Sequence, residues 1–128
     1  MKISHLDHIV LTVANIDITL DFYQRLLGMR AVTFGEGRHA LVFGQQKINL
    51  HQAGREFEPK AATPQPGSAD LCFICLTPIE AVIEHLQKEG VAVTEGPVRR
   101  TGAAGPILSV YLRDPDRNLI ELSNLIAE

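Results

Sequence analysis

The sequence predicts an α+β fold of two tandem βαβββ modules, whose curved mixed sheets are expected to enclose a cleft. Three observations predict it. The order strand, helix, three strands occurs twice; the two copies align residue on residue; and a stretch rich in proline and glycine separates them. Residues 7 to 16, DHIVLTVANI, align without gaps on residues 70 to 79, DLCFICLTPI, so that Asp7 matches Asp70, Val13 matches Leu76 and Ile16 matches Ile79.

Each opening strand runs into a helical pattern. Ile16, Leu20, Tyr23 and Leu27 fall at helical spacing in the first copy, as do Ile79, Ile83 and Leu86 in the second. Gly28 and Gly90 follow the last turns, where a left-handed cap favours a residue without a side chain. The second helix is expected to start on a capping box, Thr77 with Glu80, with Pro78 in its first turn. Three strands should follow each helix: MRAVTF, HALVF and KINLHQ, the last two joined through Gly44, and then VAVTEG, ILSVYLRD and NLIELSN. The closing strands align as Ile48-Asn49-Leu50 on Ile120-Glu121-Leu122. Residues 1–128 therefore read as one domain, with module one at about 5–52, an extended linker at 53–68 and module two at about 69–125. A four-stranded sheet with one helix leaves a face bare, so the two bare faces are expected to meet around the cleft, within one chain or between two.

Composition narrows the function. With 128 residues, 45% of them hydrophobic, the chain can fill the core of a soluble domain. A net charge of −3, no basic stripe beyond Arg99-Arg100, and no tryptophan argue against nucleic acid as a partner. No apolar run approaches the roughly 20 residues that span a bilayer, and the opening MKISHLDHIVLTV lacks a signal pattern, so a cytoplasmic location with no membrane partner is expected. Cys72 and Cys75 formally spell C-x-x-C, but on a strand they face opposite sides about 10 Å apart, too far for a disulfide or a shared zinc ion. Two reduced core cysteines are expected.

Glu121 stands out, because a carboxylate between Ile120 and Leu122 costs several kcal/mol if buried without a partner. Strand parity places His8 with Val10 and Thr12 on the face away from the helix, Asn49 with His51, and Glu121 with Ser123. Two histidines and one carboxylate make a metal-binding set that leaves positions open for substrate. The alternatives are ordinary. Either histidine can be a hydrogen-bonded strand residue, and Glu121 can pair with Arg113, Arg38 or Arg99. His5, His39 and His85 have weaker claims to the cleft.

These residues carry a resemblance. LDHIVLTVANIDITLDFYQRLLGM resembles the opening of vicinal oxygen chelate proteins, the superfamily of glyoxalase I, extradiol dioxygenases, fosfomycin-resistance thiol transferases and bleomycin-resistance proteins. LRDPDRNLIEL is similar to their closing signature, and INLHQAGREFEPKAATPQPGSADLCFI looks most like the glyoxalase domain-containing protein 5 group and related bacterial glyoxalase-like proteins.

The resemblance implies that His8 and Glu121 bind a divalent metal ion, whether nickel, zinc, manganese or iron. Two positions depart from it: Leu71 stands where metal-dependent relatives place a histidine, and Asn49 where glyoxalases carry glutamate or glutamine. His51, on the same face as Asn49, is the expected replacement, giving the set His8, His51 and Glu121. Arg117 replaces the usual turn glycine, and Asn118 is expected to absorb the left-handed conformation. The implied enzyme chelates vicinal oxygens of a small-molecule substrate, with lyase or isomerase chemistry ahead of extradiol dioxygenation. Glu121 would shuttle the proton, and Asn49, Leu71, Tyr111 and Arg113 would line the substrate. The other reading is a metal-free drug-binding protein of the bleomycin-resistance type. A homodimer is expected in both.

Overall fold

Alternation builds the first sheet. In β1 (His8–Val13), Leu11 and Val13 are buried while His8 and Val10 are exposed. The strand leads into α1 (Ile16–Leu27), whose start is capped by Asn15 accepting a hydrogen bond from the Ile18 amide at 2.9 Å. Gly28, in the left-handed conformation, ends it. β2 (Arg30–Phe34), β3 (Arg38–Phe43) and β4 (Gln46–Gln52) complete the unit, with sheet order β1-β4-β3-β2. β1 and β4 run parallel and the other pairs antiparallel, so the sheet is mixed. Phe22, Tyr23 and Leu26 of the helix are buried, as are Leu11, Val13, Leu41, Ile48 and Leu50 of the sheet.

The second unit repeats the plan with β5 (Asp70–Ile74), α2 (Ile79–Lys88), β6 (Glu95–Gly102), β7 (Gly105–Arg113) and β8 (Leu119–Leu125), in sheet order β5-β8-β7-β6. This computed structural model describes residues 1–128, and the units divide at Met1–Ser68 and Ala69–Glu128. Between β4 and β5 there is no helix or strand. No helix is long and apolar enough to cross a membrane.

Several local expectations need correction. The expected capping box does not form: Pro78 holds the N-cap position of α2 without a side-chain bond. Asn124 of β8 accepts from the Ile79 amide at 2.7 Å instead, and its amide nitrogen donates to the carbonyls of Cys75 and Thr77. A residue distant in sequence thus shapes the whole turn. The segment VAVTEG is not the strand after α2, since β6 begins only at Glu95 and runs through Pro97 and Arg99-Arg100. Being an edge strand, β6 tolerates the proline, and its register shifts between Glu95 and Val98 to accommodate it. Gly96, at φ 102°, lies against the Ser109 carbonyl so closely that a Cβ would overlap it.

The turn between β7 and β8 is built on Asp114, which is buried. One carboxylate oxygen accepts from the amides of Asp116 and Asn118, both at 2.9 Å, and the other accepts from the Asn118 side chain at 2.8 Å. Asn118 in turn accepts from the Ala69 amide at 2.9 Å, fastening the turn to the start of β5. Arg117 itself takes the left-handed conformation, at φ 70°, and Asn118 is spared it.

Candidate functional site

Each sheet has one face under its helix and one open face. On the open face of the first unit, the parallel register of β1 and β4 sets His8 beside Lys47, Val10 beside Asn49 and Thr12 beside His51. On that of the second, β5 and β8 set Asp70 beside Leu119, Cys72 beside Glu121 and Ile74 beside Ser123. Across β8 lie Arg113, Tyr111 and Ser109, paired with Leu119, Glu121 and Ser123.

Superimposing these registers corrects the internal repeat. Asn49 and Glu121 are equivalent, as the closing strands align. His8 is then equivalent to Asp70, one residue before the position given by the gapless alignment. The extra residue of module two lies in the longer turn between β5 and α2. Leu71 is consequently on the helix side, in register with the fully buried Ile120, and does not line a substrate face. The donor in question is a carboxylate, Asp70, which can ligate a metal.

The two units thus present the same pattern of polar groups. In one, His8 is diagonal to Asn49; in the other, Asp70 is diagonal to Glu121, each pair on neighbouring strands and about 8 Å apart by strand geometry. His8 Nδ1 lies 2.8 Å from Asp7 Oδ1, and with that nitrogen donating, Nε2 keeps a free lone pair. Asp7's carboxyl is held below the ordinary aspartate range, chiefly by its hydrogen bond to His8, with desolvation opposing and neighbouring positive charge assisting. Asn49 Oδ1 is buried and has no hydrogen-bond partner, an acceptor awaiting a donor or a cation.

His51 does not join His8. Its register partner is Thr12, four residues along β1 from His8, which puts the two histidines about 13 Å apart along the strands. Nitrogens ligating one ion at about 2.1 Å cannot be more than about 4 Å from each other. No group of three or more histidine, cysteine or acidic side chains comes together in this structure. His51 is instead buried at the end of β4, its ring edge-on to Phe57 at 5.7 Å, with Arg38 stacked over Phe57 at 4.4 Å. Burial, then the Arg38 charge, pushes its pKa below the ordinary histidine value.

Glu121 makes none of the ion pairs considered for it. Oε2 accepts from Ser109 Oγ at 2.6 Å, and Ser109 and Ser123, both fully buried, lie 2.7 Å apart. Cys72 Sγ is 3.4 Å from Ser123 Oγ. Cys72 is therefore an exposed residue of the open face and Cys75 is half-buried, so neither is the core cysteine expected, although both are free thiols. Partial burial pushes the Cys72 thiol up, the Ser123 bond opposes it, and the charge of Glu121 and a hydrogen bond to its carboxylate add to the rise. Tyr111 shares the face, its hydroxyl accepting from Arg100 Nε at 3.1 Å, while Arg113 donates to the Arg117 carbonyl at 3.2 Å. Ser109 was legible in principle, since Ser109, Tyr111 and Arg113 alternate with the buried Val110 and Leu112.

Comparison with known proteins agrees with the two-unit plan. The model of the Glyoxalase/Bleomycin resistance protein/Dioxygenase superfamily matches residues 5–122. The chain belongs to this superfamily. It is 61% identical to the glyoxalase domain-containing protein RDO1 of Mycosarcoma maydis over 97% of this chain and 70% of that one. The crystal structure of virulence protein STM3117 from Salmonella typhimurium superimposes with a TM-score of 0.97 at 57% identity, covering 98% of this chain and 100% of the other. Integron cassette protein VCH_CASS1, from the mobile metagenome of V. cholerae, gives 0.96 at 61% identity, covering 98% of each.

Proposed function

We propose that this protein is a metal-dependent enzyme of glyoxalase type, with His8 on one unit, and Asp70 and Glu121 on the other, as its candidate donors to a divalent ion. One observation carries the reading: strand register puts His8 with Asn49, and Asp70 with Glu121, at equivalent places on the open faces of the two sheets. The donors suit a divalent cation, being an imidazole with a carboxylate behind it, two carboxylates, and an amide oxygen without a partner. An imidazole with two or more oxygen donors suits nickel, zinc, manganese or iron.

When bound, such an ion supplies Lewis acidity toward two neighbouring oxygens of a small substrate. The chain's own groups do the rest. Asp7 fixes the tautomer of His8, and Asn49 offers an oxygen to orient substrate or solvent. Glu121 takes a proton from the substrate carbon beside a carbonyl and returns it to the neighbouring carbon, which is isomerase or lyase chemistry. Tyr111 and Arg113, on the same face, border the substrate.

The protein is proposed to act as a homodimer on a small molecule. Val10 and Ile74, 45% and 50% exposed on the open faces, are apolar surface that such an assembly and its substrate would cover. The test is metal analysis of protein purified without a histidine tag, followed by turnover with α-keto aldehyde thiol adducts and with catechols. About one equivalent of metal per chain and turnover of the first class is expected. Metal below about a tenth of an equivalent even after reconstitution would overturn the enzyme in favour of a metal-free binding protein of the bleomycin-resistance kind.

A further inference from the structure

The contacts around Glu121 have a direction that follows from counting protons. An ionised carboxylate only accepts, so the 2.6 Å contact spends the single hydroxyl proton of Ser109 on Glu121 Oε2. Ser109 must then accept in its 2.7 Å contact with Ser123, which spends the Ser123 proton. Ser123 is left to accept from the Cys72 thiol at 3.4 Å. The row Cys72, Ser123, Ser109, Glu121 therefore donates in one sense only, toward the carboxylate, and both serine hydroxyls lie on the same oxygen, Ser109 at 2.6 Å and Ser123 at 3.5 Å from Oε2.

Both serines are fully buried and stand opposite each other in the β7–β8 register, between the buried pair Val110 with Leu122 and the half-buried pair Leu108 with Asn124. The backbone around Ser109 has little room to shift, because Gly96 of β6 backs directly onto its carbonyl. A short bond from a fixed hydroxyl to one oxygen restrains the rotation of a carboxylate.

We propose that Ser109 is a positioning residue that occupies Oε2 of Glu121 and so presents Oε1 alone, making Glu121 a one-oxygen ligand. This rests on the metal-binding reading above. Ser123 supports Ser109 by donating to it, and the Cys72 thiol ends the row without acting as a nucleophile. With Ser109 gone, the carboxylate is free to turn and to offer both oxygens to the ion, which changes coordination number as well as affinity.

Cobalt(II) separates these possibilities, since its visible absorption reports coordination number whether or not any substrate is turned over. Native protein, Ser109→Ala, Ser109→Thr, Ser123→Ala and Glu121→Gln are titrated with cobalt, and thermal unfolding checks that each is folded. Ser109→Ala should bind about tenfold or more weakly and with an altered spectrum. Ser109→Thr, which keeps the hydroxyl, should restore the native spectrum, and Ser123→Ala should fall between. Native affinity and spectrum in folded Ser109→Ala would overturn the positioning role alone. Absence of cobalt binding by native protein, or unchanged binding by Glu121→Gln, would overturn the metal reading and this inference together.

Discussion

The ring of His51 meets the ring of Phe57 edge-on at 5.7 Å, and Arg38 covers the other partner at 4.4 Å from the Phe57 centroid. Burial and the Arg38 guanidinium both oppose a charge on this imidazole. Its pKa in the folded chain is depressed, so the unfolded chain takes up the proton first as pH falls. Stability is full above the unfolded value of about 6.5 and is lost as pH drops from there through the folded value. Urea unfolding at pH 8 and pH 5.5 should show this loss in the native protein and a smaller loss in His51→Gln. An equal pH dependence in the two proteins would assign the effect to other groups.

Arg117 sits at φ 70° in the turn that delivers β8, a conformation that costs a residue with a Cβ about 1 kcal/mol. Arg117→Gly removes that strain and keeps the backbone carbonyl that Arg113 uses. The variant should gain up to about 0.5 kcal/mol in chemical denaturation, after the larger chain entropy of unfolded glycine is counted. A loss of stability would mean that the arginine side chain contributes more than its backbone costs.

Gly96 has the opposite sensitivity. At φ 102°, with the Ser109 carbonyl against it, it leaves no space for a methyl group. Gly96→Ala should lose about 2 kcal/mol or more and loosen β6 from β7. Hydrogen exchange along β6 and β7 would locate the damage. Protection unchanged from native would show that the edge strand moves aside without cost.

Much of the architecture was legible because its signals are local. The alternation in β1 and β8, the helical spacing that includes Tyr23, and the glycine stops at Gly28 and Gly90 are each set within one element, although the buried side of α1 is Thr19, Phe22, Tyr23 and Leu26 and not Ile16 or Leu20. What stayed hidden depends on partners far along the chain. Asn124 caps α2 from another strand, and Phe57, in a stretch without regular structure, gives His51 its neighbour. The repeat was offset by one residue because Leu71, Phe73 and Cys75 are apolar under either alignment, and the match of Asp7 with Asp70 favoured the gapless one. Only strand pairing shows that Asp70, and not Leu71, corresponds to His8. The extent of β6 is hidden in the sequence because Gly96-Pro97 reads as a break, which an edge strand can nevertheless contain.

Calorimetric titration of tag-free, metal-depleted protein with manganese(II) and nickel(II), comparing His8→Ala, Asp70→Asn, Glu121→Gln and His51→Ala with native, tests the ligand set most directly. The account predicts about one ion per native chain, affinity lowered at least about tenfold by each of the first three substitutions, and near-native affinity in His51→Ala. Native affinity in Asp70→Asn, or loss of binding in folded His51→Ala, would contradict it.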